Sequence, residues 1–280
     1  MSVTLTYVYC LVRDVRPPAI GELPAHVPGG GAVRAVEIER PLIGSATRAG
    51  AGGGTKRAAV PRHWLIVSTV PGRAYGEEAL QRGLQRLEWV GERAVAHEAV
   101  VEHFLSARAV LPMQLFTLFT NDERAVEHVV TDRRRIARIL SRVERQVEWG
   151  LRLMWDERAV RDAVASPLPG ARGARGAGTG AAYLARKRDL LDITRGQLTT
   201  ARRHADRVYR TLSREASDAR RRTATERAAP GSRLLLDAAF LVPAGRAGAF
   251  RAAVRRNARS LAGSSLSVSL TGPWPPYNFI

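Results

Sequence analysis

Several stretches of the sequence hold residue types at spacings that could do chemistry. Gly176-Ala177-Gly178-Thr179-Gly180-Ala181 has the glycine spacing of a dinucleotide-binding turn and precedes a helical pattern. It follows a helical pattern and a Pro-rich stretch, however, whereas a pyrophosphate cradle needs a strand before it, so the segment reads as a linker. Gly50-Ala51-Gly52-Gly53-Gly54-Thr55-Lys56 resembles a phosphate loop, except that Thr55 stands where the glycine before the lysine should be. His97-Glu98 and His103 suggest a zinc helix until the spacing is counted. The second ligand, one turn on, would fall at Val101. Glu98 and Glu102 are one turn apart and could divide acid and base roles, but on an amphipathic helix they read as a solvated face. Cys10 sits in an apolar strand pattern, reads as inert core, and has no histidine beside it in sequence. With no serine elbow either, the sequence offers no enzyme signature, no cofactor site and no metal site.

The elements that would have to position any such site are better defined. A length of 280 residues suggests two domains, and 45% hydrophobic content fits a folded chain. No apolar run reaches the roughly 18 residues of a membrane span, the start lacks a secretory pattern, and a single cysteine fits a reducing compartment. These features imply a cytoplasmic protein. The net charge of +18 points to a polyanion partner at first sight. Only Lys56 and Lys187 are lysines, and the arginines are spread along the chain, which looks like a coding bias across solvated faces rather than a nucleic-acid patch.

Residues 3–13 read as a strand with Val3, Leu5, Tyr7, Tyr9 and Leu11 on one face, followed by strands at 32–39 and 63–70. Helical spacing then runs from 77 to 108 through Leu80, Leu84, Leu87, Val95, Val100, Val101 and Phe104. This predicts an N-terminal α+β domain over residues 1–108. Residues 109–280 contain two strand-helix-strand patterns, at 110–119, 121–140 and 143–155, and at 234–242, 245–261 and 266–271. Together they predict an α+β fold whose second domain is a modified ferredoxin-like, or split βαβ, sheet. RNA-binding modules of that plan stack bases on sheet aromatics, and here Phe240 is the only aromatic of its strand.

Between the two patterns lies an expected helical insertion, 156–233, with a short helix at 157–165 and a long one at 182–227. Leu184, Leu191, Leu198, Ala205 and Leu212 recur every seven residues along the long helix, with Thr194, Ala201 and Val208 three positions further on. The pattern predicts a coiled-coil-like arm, which packs either on the short helix or first domain or on a partner. The last nine residues, 272–280, hold three prolines with Trp274, Tyr277 and Phe279. They cannot extend a ladder or helix and are too apolar for a solvated tail, so they are expected to pack as an interdomain clamp or as a partner contact.

Tyr7-Val8-Tyr9, His97-Glu98-Ala99-Val100-Val101, Val110-Leu111-Pro112, Glu148-Trp149-Gly150, Ala182-Tyr183-Leu184 and the closing Leu270-Thr271-Gly272-Pro273-Trp274-Pro275-Pro276-Tyr277-Asn278-Phe279 together resemble the GvpF/GvpL family of gas vesicle proteins. A departure is Gln114-Leu115-Phe116-Thr117, where relatives carry an Arg-Phe-Gly-Thr run. The resemblance implies a non-enzymatic accessory or minor structural protein of gas vesicle assembly, located at the gas vesicle in the cytoplasm. Its implied partners are the small hydrophobic shell protein and other gas vesicle accessory proteins. An arginine-rich nucleic-acid-binding module is the competing expectation.

Overall fold

The structure, a computed structural model, describes residues 3–21, 23, 26–39, 42, 59–165, 180–223 and 231–280. Its contacts divide the chain into two units, Met1–Val147 with Trp274–Ile280, and Glu148–Pro273. The first division differs from the expected boundary at 108 because the strand that follows residue 108 hydrogen-bonds to the first strand of the chain.

Unit 1 is built from β1 (Thr4–Asp14), β2 (Arg34–Glu37), β3 (Arg62–Pro71), α1 (Gly72–Tyr75), α2 (Glu77–Gly83), α3 (Leu87–His103), β4 (Ala109–Pro112), β5 (Leu118–Phe119), α4 (Asp122–Thr131) and α5 (Arg133–Val143). The sheet order is β2-β3-β1-β4, with β5 also on β1. β1 lies antiparallel to β3 on one side and to β4 on the other. The register slips between Val8 and Cys10. Such a bulge breaks the period-two alternation, so Tyr7, Tyr9, Cys10 and Val12 share one core while Val8 and Leu11 enter the other. Leu11 therefore leaves the face on which strict alternation puts it.

The first core also takes Val100, Val101 and Phe104 from the α3 side; the second takes Ala125, Val129, Ile136, Leu140 and Val143 from α4 and α5. Covering a sheet on both faces explains why β1 and β3 are apolar on both. Asn121 starts α4 by accepting the Arg124 N–H at 2.9 Å, as an N-cap does. In α3 the buried positions are Arg93, Ala96, His97, Val100 and Val101, while Leu84, Leu87 and Val95 are exposed. The apolar face expected from the leucines is thus not the packed one, because two polar side chains that find partners inside occupy the packed stripe.

Phe116 has φ 65°, the left-handed region that favours glycine. Its ring stacks on Trp89 at 5.3 Å and 24°, and the Arg93 guanidinium lies 3.8 Å from the Trp89 ring. The stack offsets a backbone conformation that a bulky residue adopts at a cost of about 1 to 2 kcal/mol.

Unit 2 contains β6 (Gln146–Asp156, entering from unit 1), α6 (Glu157–Ala165), α7 (Gly180–Ser213), β7 (Asp218–Arg221), β8 (Ser232–Pro243), α8 (Ala247–Ser260) and β9 (Leu266–Trp274). The sheet order is β7-β8-β6-β9. Counted within the unit this is 2-3-1-4, the strand order of the split βαβ plan. The plan is the expected one, but its parts are assigned differently. The 110–119 stretch supplies β4 and β5 to unit 1, and the expected insertion supplies the first crossover helix, α7, and the edge strand β7. α7 ends at Ser213, not 227. Beyond it the Ser217 N–H bonds the Leu241 carbonyl at 2.8 Å and the chain pairs with β8. The remainder of the expected helix, from 224, lies outside the described residues, as does Gly50 to Lys56.

Phe240 is fully buried against Phe250 and Tyr209, so it is not a stacking platform. Gly150 lets neighbouring strands close up: a Cβ there would stand 2.6 Å from Thr271 Oγ1 and 3.3 Å from an Arg222 guanidinium nitrogen. Two of the sequence motifs, at 148–150 and 270–279, therefore meet at one point of the sheet. Asp237, nearly buried, accepts from Arg222 Nε at 2.7 Å and from Arg152 at 3.4 Å.

Phe116→Ala loses the Trp89 stack and keeps the strain, whereas Phe116→Gly loses the stack and relieves the strain. Chemical denaturation should find the alanine variant the less stable by about 1 kcal/mol, the reverse of the usual alanine-glycine order.

Candidate interaction surfaces

The C-terminal segment begins in a strand. β9 continues through Gly272 and Pro273 to Trp274, where the sequence predicted an end at Thr271. β9 is an edge strand, and an edge tolerates a proline whose missing N–H no neighbour needs. Gly272 has φ 115°, open to glycine alone. The chain then joins unit 1. Pro275 and Pro276 are buried, a 3-10 turn forms over Tyr277–Phe279, and Phe279 is wholly buried with the Arg142 guanidinium 6.0 Å from its ring centre. The Tyr277 hydroxyl donates to Glu98 Oε2 on α3 at 2.6 Å. Burial and this bond to a carboxylate push the Tyr277 hydroxyl pKa far up. Glu98 is accordingly no solvated residue, a correction to its reading as half of an exposed acidic pair. Trp274 is 36% exposed and Ile280 39%.

Beside this segment unit 1 holds a polar-aromatic core. Tyr7 Oη lies 2.8 Å from His97 Nδ1, Tyr9 Oη 3.0 Å from Ser68 Oγ, and Tyr75 Oη donates to the Pro28 carbonyl at 2.7 Å. Desolvation lowers the pKa of His97 and of His63 to about 4 and raises those of the three tyrosines. Burial raises that of the Cys10 thiol as well. These groups stay neutral and dry, which suits a core and not a proton-transfer site. Among the described residues no three His, Cys, Asp or Glu side chains gather as a metal site, and no helix is long and apolar enough to cross a membrane.

The heptad stripe divides along α7. Ala201, Ala205, Val208 and Leu212 are buried, and Ala201 packs with Trp155 and with Val160 of α6, with Leu198 against them. Leu184 is 54% exposed and Leu191 51%. One stripe thus does two jobs: its C-terminal half is ordinary core, and its N-terminal half is an apolar face that the described residues leave open. The Gly176 fingerprint falls outside those residues up to Gly180, which opens α7. Tyr277 and Phe279 of the tail belong to unit 1 and the stripe to unit 2. Sequence reasoning missed the Tyr277–Glu98 bond, which no local pattern signals. It also missed an arginine row on α7 that has the same spacing as the leucines.

Phe279→Ala should cost roughly 3 to 5 kcal/mol of unit 1 stability and Tyr277→Phe about 1 kcal/mol, read by thermal or denaturant unfolding. Stability should also fall at both ends of the pH range. Below about 6.5 the unfolded chain protonates His63 and His97 while the folded one resists until about 4, so acid favours unfolding through that window. Above 10 the unfolded tyrosines ionise and the folded ones do not, so alkali favours unfolding too. His97→Phe should flatten the acid limb, measurable as melting temperature against pH.

Comparison with known proteins places this architecture. A family described as gas vesicle synthesis protein GvpL/GvpF matches residues 5–280. Gas vesicle protein L of Streptomyces sp. (strain CB03234) is 30% identical over 249 residues, covering 86% of this chain and 90% of that protein. The crystal structure of gas vesicle protein GvpF from Anabaena sp. PCC7120 superposes with a TM-score of 0.61 at 14% identity, covering 99% of this chain and 95% of that one. GvpF from Microcystis aeruginosa gives 0.57 at 12% identity, covering 99% of each. With its sheets, its tail and nearly its whole length matched, this chain belongs to the GvpL/GvpF family of gas vesicle synthesis proteins.

Proposed function

We propose that this protein is a non-enzymatic accessory protein of gas vesicle assembly that binds the hydrophobic shell protein and assists nucleation or growth of the shell. Family membership supports the gas vesicle role. The observation that supports a binding role is the open half of α7, where Leu184 and Leu191 are each about half exposed at heptad spacing on an otherwise charged helix. A shell subunit presents apolar surface before it is incorporated, and a helix face that covers it reversibly would hold it soluble and concentrate it at a growth point. Tyr277 and Phe279 are engaged within unit 1, so their role in this reading is to anchor the chain end, with Trp274 a secondary contact at most.

The nucleic-acid alternative gains no support from Phe240, which is buried. Coprecipitation of purified shell protein with the full chain and with a Leu184→Ser/Leu191→Ser variant tests the proposal. Both positions are exposed, so the fold should survive. We expect at least a five-fold loss of shell-protein binding and of aggregation suppression. Undiminished binding by a folded variant would remove α7 from the role, and no binding by the unaltered chain would remove the role itself.

A further inference from the structure

Three arginines on α7, Arg188, Arg195 and Arg202, repeat at the same seven-residue interval as Leu184, Leu191 and Leu198, each four positions after a leucine. Residues four apart on a helix are neighbours, so the leucines and arginines alternate down one line of the helix surface. All three arginines are exposed. The opposite flank of the leucines carries Thr194 and Ala201, and it is the Ala201 side that packs against Val160 of α6 and Trp155. At Ala201 one flank of the leucine seam is thus closed by the protein, while the arginine flank is exposed and basic along its length.

The open flank leads into a cavity of about 770 Å3 at the base of the arm, lined by Arg202, Asp206, Arg221, Ser232, Arg233, Leu234 and Leu235. In it Asp206 is taken by Arg221 at 2.6 Å, and Arg233 reaches Glu157 at 3.0 Å. No ion pair engages Arg188 or Arg202 among the described residues, and Arg195 has only Asp192 at 3.3 Å, an exposed pair of little energetic weight.

We infer that this face takes an acidic amphipathic helix of a partner protein, which lays apolar residues on the exposed Leu184 and Leu191 and carboxylates on Arg188, Arg195 and Arg202. A second copy of the same arm does not suit it. Parallel self-pairing sets Lys187 against its own copy in the seam, and antiparallel self-pairing sets the arginine row against itself. Linker residues 166–179 hold one leucine and no acid, so they cannot supply the complement either. A nucleic acid would use the arginines and leave the leucines without a role. The inference deepens the reading of α7 as a contact surface by giving the chemistry of its partner segment.

The test uses the full chain and four labelled probes followed by fluorescence anisotropy. They are a synthetic helix of about three heptads with Leu in its seam and Glu on its flanks, the same helix with Lys flanks, a scrambled acidic peptide of equal composition, and a mixed-sequence DNA duplex. The acidic helix should bind at least ten-fold tighter than the lysine helix and the scramble, with affinity falling as salt rises. The variant Arg188→Glu/Arg195→Glu/Arg202→Glu should melt as the parent does and reverse the preference toward the lysine helix. Equal binding of helix and scramble, binding of no peptide, binding of DNA alone, or a preference the triple variant leaves intact would each overturn the inference. If the charge swap succeeds while shell-protein binding ignores α7, this inference stands and the shell-contact reading falls.

Discussion

A helix of 34 residues is about 51 Å long, and among the described residues α7 finds cover for little more than its C-terminal third. From Ala201 to Leu212 its stripe is closed by the core of unit 2, and α6, only nine residues, adds a turn or two beyond that. The excess length cannot be buried within the described unit, so leucines continue at core spacing onto a face that has no core. This mismatch is the constraint from which the functional account follows. Apolar residues held half exposed on a rigid element are costly unless something covers them, and the arginines beside them give the cover a required charge.

The other end of the account is fixed by the last residues of the chain. β9 reaches Trp274 because an edge strand can hold a proline, and the segment after it is committed to unit 1 by the burial of Phe279 and the bond from Tyr277 to Glu98. A segment that spends its aromatics on its own chain has few left for a partner. The most recognisable motif in the sequence is therefore a structural closure, while the plainer leucine repeat carries the open surface. On the proposed reading, recognition value and binding value lie in different places.

Much of the fold was legible because its signals are local. The strand patterns of β1, β6 and β9, the helix starting near 121 and the seven-residue repeat each report on neighbours in sequence. What was not legible depended on distant partners. The Val8/Cys10 bulge moves Leu11 to the other core, and nothing in the residues themselves announces it. The buried stripe of α3 includes Arg93 and His97, polar types that an apolar periodicity does not count, and the partner of His97 is Tyr7, ninety residues away on β1. The split βαβ plan was read from the right number of strand-helix-strand patterns, yet one of them was the wrong one. Strand order is set by pairing across the sheet, and 110–119 looks the same whether it joins one sheet or the other.

On the proposed reading, the open half of α7 is the surface that meets the shell protein, and hydrogen-deuterium exchange of the full chain with and without purified shell protein decides the matter. Protection should rise across residues 184–202 and stay unchanged at 277–279, which are already closed. Protection confined to unit 1, with α7 exchanging as it does alone, would rule α7 out as the contact.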